Sequence, residues 1–67
     1  MLRPKTRRIG QRVITTRAIS SIHGVIPINT VTNIEAVNVG QDGKVQYKIM
    51  ARNVTIWVKP PDLLTLK

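Results

Sequence analysis

Residues 44–51 alternate strictly. Val45, Tyr47 and Ile49 fall on one side of an extended chain, and Lys44, Gln46 and Lys48 fall on the other. Residues 54–59 repeat the pattern, with Val54, Ile56 and Val58 opposed to Thr55, Trp57 and Lys59. No segment sustains a 3.6-residue period, so the chain offers no amphipathic helix and must build its core from strands. It has to do so without staples. At 67 residues it makes one small domain, and it has no cysteine and a single histidine, His23. Disulfides, thiolate zinc sites and His-rich metal sites are thereby excluded. The remaining sources of stability are a tight apolar core, self-association or incorporation into a larger assembly.

The rest of the chain divides by the same reading. Residues 1–10 form a basic arm punctuated by Pro4 and Gly10, expected to be flexible in isolation. Residues 11–67 form the domain. Residues 11–19 alternate, rich in β-branched side chains, and predict a first strand. Residues 20–30 carry Gly24 and Pro27 inside an apolar stretch. They predict a long loop over partly packed Ile22, Val25, Ile26 and Ile28. Residues 31–39 predict a second strand whose apolar parity switches between Ile34 and Val37, the mark of a bulge near Ala36. Gly40-Gln41-Asp42-Gly43 predicts a tight hairpin, and Arg52-Asn53 a shorter turn. Pro60-Pro61 ends the last long strand. One helical turn over residues 61–64 and a short strand over 64–67 complete the chain.

This order of elements resembles the SH3-like small barrel. Gly10-Gln11-Arg12-Val13 is similar to the G-D-x-V opening of such domains. Gly24-Val25-Ile26-Pro27-Ile28-Asn29-Thr30-Val31 is similar to their x-I-P-x-G-T-x-G approach to the second strand, and Pro61-Asp62-Leu63-Leu64-Thr65-Leu66 to their p-x-D-L-x-x-L ending. Asn29 and Asn33 stand where glycine is usual, and asparagine is the best substitute at positive φ. The resemblance covers residues 10–66. It implies an all-β, five-stranded SH3-like barrel with one helical turn before the last strand. It implies binding in general and no ligand in particular. Val54-Thr55-Ile56-Trp57 also stands where the type II dihydrofolate reductases, themselves SH3-like barrels, carry V-Q-I-Y. Thr55 and Trp57 replace the Gln and Tyr on which that family's pore relies, so the likeness does not extend to its activity.

Charge carries the functional signal. Eleven lysines and arginines oppose three acids, Glu35, Asp42 and Asp62, for a net charge of +8. Such a field attracts polyanions, whether nucleic acid, an acidic protein surface or anionic lipid. Arg3, Lys5, Arg7 and Arg8 belong to the arm; Arg12, Arg17, Lys44, Lys48, Arg52 and Lys59 belong to the domain. Lys44 and Lys48 share the outward side of one strand and Lys59 that of its neighbour; cross-strand neighbours on one face lie about 5–8 Å apart, a spacing able to track phosphates. The plainer role of such lysines is to keep an exposed strand soluble. Trp57 is set to the same side and offers a stacking platform, unless it covers the end of the barrel. With only Tyr47 as a second aromatic, a proline-rich peptide groove is not expected.

No nucleophile elbow, phosphate loop or zinc-protease motif is present, and His23 has no acid near it in sequence. The chain therefore reads as a cofactor-free, non-enzymatic binding module for DNA or RNA with little base preference. The competing reading is a structural or adaptor protein, such as a phage component or complex subunit. It would dock on an acidic surface or self-associate. No apolar run reaches the ~20 residues of a membrane span. With no secretory pattern at the start, the expectation is a soluble, cytoplasmic protein without a membrane partner.

Overall fold

A computed structural model of the chain describes residues 6–66. Its strands are β1 (Arg12–Thr15), β2 (Ile19–Ser21), β3 (Gly24–Ile26), β4 (Val31–Val39), β5 (Val45–Ala51), β6 (Val54–Val58) and β7 (Leu63–Thr65). A 3-10 turn, Pro60–Asp62, precedes β7. All ladders are antiparallel. Five strands form one sheet in the order β6-β5-β4-β1-β7, and β2-β3 form a separate hairpin. The protein is thus all-β, as the alternation requires.

Local chemistry explains both tight hairpins of the large sheet. Between β4 and β5 the Gly43 N–H donates to Gly40 O at 3.0 Å, and Gly43 takes φ 82°. That is a type I turn closed by a left-handed residue, a three-residue hairpin loop. Asp42 Oδ1 accepts the Lys44 N–H at 3.0 Å and steadies the turn. Between β5 and β6, Ala51 pairs with Val54 across Arg52 and Asn53, whose φ values are 52° and 65°. Two successive left-handed residues define a type I′ turn, whose twist suits the flanking strands.

The β4–β5 register shifts between Ile34 and Ala36, leaving Glu35 outside the ladder. This bulge lies where the parity switch placed it. It turns Ile34 inward before the bulge and Val37 inward after it, both against the core. Val13, Ile26, Ile34, Tyr47, Ile49 and Leu63 are the most deeply buried apolar side chains. The parity assigned to β5 and β6 therefore holds.

Four expectations are corrected. The strand expected over 11–19 breaks after Thr15. The Thr15 hydroxyl donates to Pro27 O at 2.8 Å and accepts the Thr30 N–H at 2.9 Å. The chain then departs, with the Thr16 N–H bonding Asp62 O and the Thr16 hydroxyl bonding Pro61 O. The long loop expected over 20–30 contains the β2–β3 hairpin, in which Ser21 pairs with Gly24. Pro27 lies one residue beyond β3, so its missing N–H costs no ladder bond. Of the side chains expected beneath that loop only Ile26 is buried, whereas Ile22 is 95% exposed and Val25 and Ile28 are half exposed.

The closed barrel is the fourth. β6 and β7 are the two edges of the five-stranded sheet and do not pair with each other. The helical turn and last strand begin one residue earlier than expected, at Pro60 and Leu63. Residues 1–5 of the expected arm, and Lys67, lie outside the described residues.

Candidate functional site

The hairpin of β5 and β6 sets up an exposed face. Because Val54 and Val58 are buried, the alternate positions Thr55 and Trp57 point away from the core. Trp57 is 45% exposed and does not serve as a cover for the core. Its partner across the ladder is Lys48, which in turn pairs with Ala36 on β4. Directly opposed side chains sit about 4.5–5.5 Å apart at Cβ, so the Lys48 and Trp57 side chains leave the sheet as neighbours on one face.

Beyond Trp57 the chain runs out of the sheet at Lys59 and into the prolines. A cleft of about 370 Å³ opens there, lined by Lys44, Val45, Gln46, Lys59, Pro60 and Pro61. Its location follows from two sequence features. The hairpin loop at Gly40–Gly43 delivers Lys44 to the start of β5, and Pro60-Pro61 forces the chain away from β5 just after Lys59. Two lysines, a glutamine and three apolar residues thus border one cleft. Lys44 has a loose surface contact with Asp42 at 4.0 Å, with 87% of its own side chain exposed. Such a pair is weak and solvent-screened, so Lys44 stays open to another anion.

Other basic residues have different surroundings. Arg17 Nε donates to Asp62 Oδ1 at 2.7 Å, and Arg17 Nη2 to Oδ2 at 3.3 Å. Asp62 Oδ2 also accepts the Lys59 N–H at 3.1 Å, which ties the 3-10 turn to the end of β6. The hydrogen bond from Arg17 holds the Asp62 carboxyl below its ordinary value, against partial burial, and Arg17 is raised by the same contact.

Arg7 is anchored even more firmly. Its Nε donates to Thr65 Oγ1 at 2.8 Å, its Nη2 to Leu63 O at 3.0 Å and its Nη1 to Pro60 O at 3.4 Å. Its backbone N–H donates to the Tyr47 hydroxyl, and its guanidinium lies over the Tyr47 ring. Arg12 stands on β1 opposite Asn33, and Arg8 lies just before the turn that bonds Gln11 N–H to Arg8 O. Arg52 occupies the turn at the other end of the β5–β6 hairpin from Lys44 and Lys59. Arg3 and Lys5 lie outside the described residues.

The fold therefore places Lys44 and Lys59 at one cleft and Lys48 opposite Trp57 on the outward side of the same hairpin, and it sets Arg8, Arg12 and Arg52 on other elements or at the far turn. It adds Gln46, Pro60 and Pro61, which sequence reasoning had not singled out. The outward parity of Gln46 was the available signal; nothing local marked the prolines as walls of a cleft. His23 lies in the β2–β3 turn, which the Ser21 hydroxyl caps by accepting the His23 backbone N–H at 3.1 Å. Among the described residues no three His, Asp or Glu side chains cluster in a way that could hold a metal ion. No helix among them is long and apolar enough to cross a membrane. No family model, curated protein or solved structure matches the chain.

Proposed function

We propose that this protein is a non-enzymatic module that binds nucleic acid through the outer face of β5 and β6, with little base discrimination. The observation that carries the reading is the shared location of exposed Trp57, its ladder partner Lys48, and the Lys44–Lys59 cleft, in a chain of net charge +8. Lysine ammonium groups contact phosphates without reading bases. The architecture is best read as an open form of the SH3-like barrel. Supporting this are the strand order, the return of β7 to β1, and the single 3-10 turn before β7. The absence of cysteine favours a reducing location such as the cytoplasm.

Salt dependence tests the reading. Affinity for a labelled oligonucleotide is expected to fall linearly in a log–log plot against salt. Lys48→Gln is expected to lower the slope by about 1. Affinity that stays flat from low to moderate salt would refute the proposal.

A second reading rests on a different surface. Val31, Ile14 and Leu64 pair in one row across β4, β1 and β7, and Val31 and Leu64 are about half exposed. An apolar row of this kind suits a structural or adaptor role, with docking on another protein or self-association. Self-association in sedimentation without nucleic-acid binding would favour it.

A further inference from the structure

The β5–β6 face has two features that a duplex would leave unused. The first is Trp57, an aromatic plane nearly half exposed beside the Lys48 side chain. The second is the cleft, in which Val45, Pro60 and Pro61 supply apolar walls and Lys44, Lys59 and Gln46 supply polar groups. A volume near 370 Å³ lies within the range of small-ligand pockets, about 300–1,000 Å³. Apolar walls with a few convergent polar groups are also the usual make-up of such a pocket.

We infer that the ligand of this face is single-stranded nucleic acid, with one base stacked on Trp57 and a neighbouring nucleotide seated in the Lys44–Lys59 cleft. This rests on the nucleic-acid reading above. In a duplex the base faces are stacked and only the edges are open in the grooves, so the indole could not stack on a base, nor the cleft enclose one, without opening a pair. An unpaired strand presents a π-face at each step, and stacking on an aromatic side chain tolerates any base. Lys48 and Lys59 flank Trp57 and fall where the backbone of a stacked nucleotide would run. Lys44 and Lys59 bracket the cleft for the next phosphate. The Gln46 amide has both donors and an acceptor, so it can meet the edge of any seated base.

The test compares a fluorescein-labelled oligo(dT), an oligo(rU) of equal length and a hairpin duplex. Binding is followed by anisotropy across a salt series and by Trp57 emission. Either single strand is expected to bind more tightly than the duplex and to quench Trp57. Trp57→Ala is expected to weaken single-strand binding about 5- to 100-fold, in line with a lost stack. It should leave duplex binding unchanged, and Trp57→Phe should recover part of the loss. Lys44→Gln with Lys59→Gln is expected to reduce the single-strand salt slope by about 1.4. Circular dichroism confirms that each variant folds.

Tighter binding to the duplex, or single-strand binding that Trp57→Ala leaves unchanged, would overturn the inference while the nucleic-acid reading stood. Absence of salt-sensitive binding to any of the polymers would overturn both.

Discussion

The guanidinium of Arg7 lies 5.3 Å from the centre of the Tyr47 ring, and the Arg7 backbone N–H donates to the Tyr47 hydroxyl at 2.8 Å. One residue thus uses both the face and the hydroxyl of the buried aromatic. The same guanidinium reaches the carbonyls of Pro60 and Leu63, so it closes the end of the sheet where the 3-10 turn meets β7. A basic residue that reads as part of a polyanion-binding arm is here tied into the fold.

Tyr47→Phe keeps the ring and removes the acceptor. The Arg7 N–H then loses its partner, at a cost of about 1 kcal/mol. For a domain of this size that corresponds to a fall in melting temperature of about 4–8 °C. Thermal unfolding followed by circular dichroism measures it. An unchanged midpoint would show that the bond from the Arg7 N–H to the Tyr47 hydroxyl contributes nothing to stability.

Asp62 predicts a pH dependence. Its carboxyl is depressed in the folded state, so its contribution is present above the unfolded value, about 3.9, and fades as pH falls through the lower folded value. Urea midpoints of the wild type are expected to decline below about pH 4. Asp62→Asn should be less stable at pH 7, having lost the charged acceptor of Arg17 and the Lys59 N–H, and should flatten that decline. Equal acid sensitivity in both proteins would remove Asp62 as its source.

Arg52 holds a left-handed conformation that side chains bearing a Cβ rarely adopt. Arg52→Asn suits the first position of a type I′ turn and is expected to stabilise the protein by about 0.5–1 kcal/mol. Chemical denaturation reads the gain. Because Arg52 lies far along the hairpin from the cleft, its loss should weaken oligonucleotide binding less than Lys59→Gln does. A larger loss at Arg52 would move the binding surface to the other end of the hairpin.

Ile34 is 1% exposed at the residue before the bulge. Ile34→Ala should cost about 2–5 kcal/mol, a large share of the stability of so small a domain. The expected result is a protein largely unfolded at 37 °C, read from the far-ultraviolet spectrum. A cooperative transition close to that of the wild type would mean that the bulge lets the site collapse around the smaller side chain.

Much of this architecture can be read from residues 31–58, because a period-two pattern assigns faces without reference to anything distant. Val45, Tyr47 and Ile49 had to face one way, and Asp42-Gly43 and Arg52-Asn53 had to turn. Ile34 and Val37 could both face the core only across a bulge. The same parity placed Trp57 and Lys48 on the outside, and the candidate site begins there. Residues 11–30 resisted the same reading, since their structure is decided by partners far along the chain. Thr15 is buried because Pro27 and Thr30 supply its hydrogen bonds, and Thr16 turns away because Pro61 and Asp62 do. Similarly, Arg7 and Arg17 were indistinguishable from the other basic residues until Tyr47 and Asp62 were brought beside them. Alternation is a property of neighbours and survives in the bare sequence. Which arginine is bound within the fold, and which lysines share a cleft, depends on contacts between residues some 10 to 60 positions apart, and only the folded chain creates them.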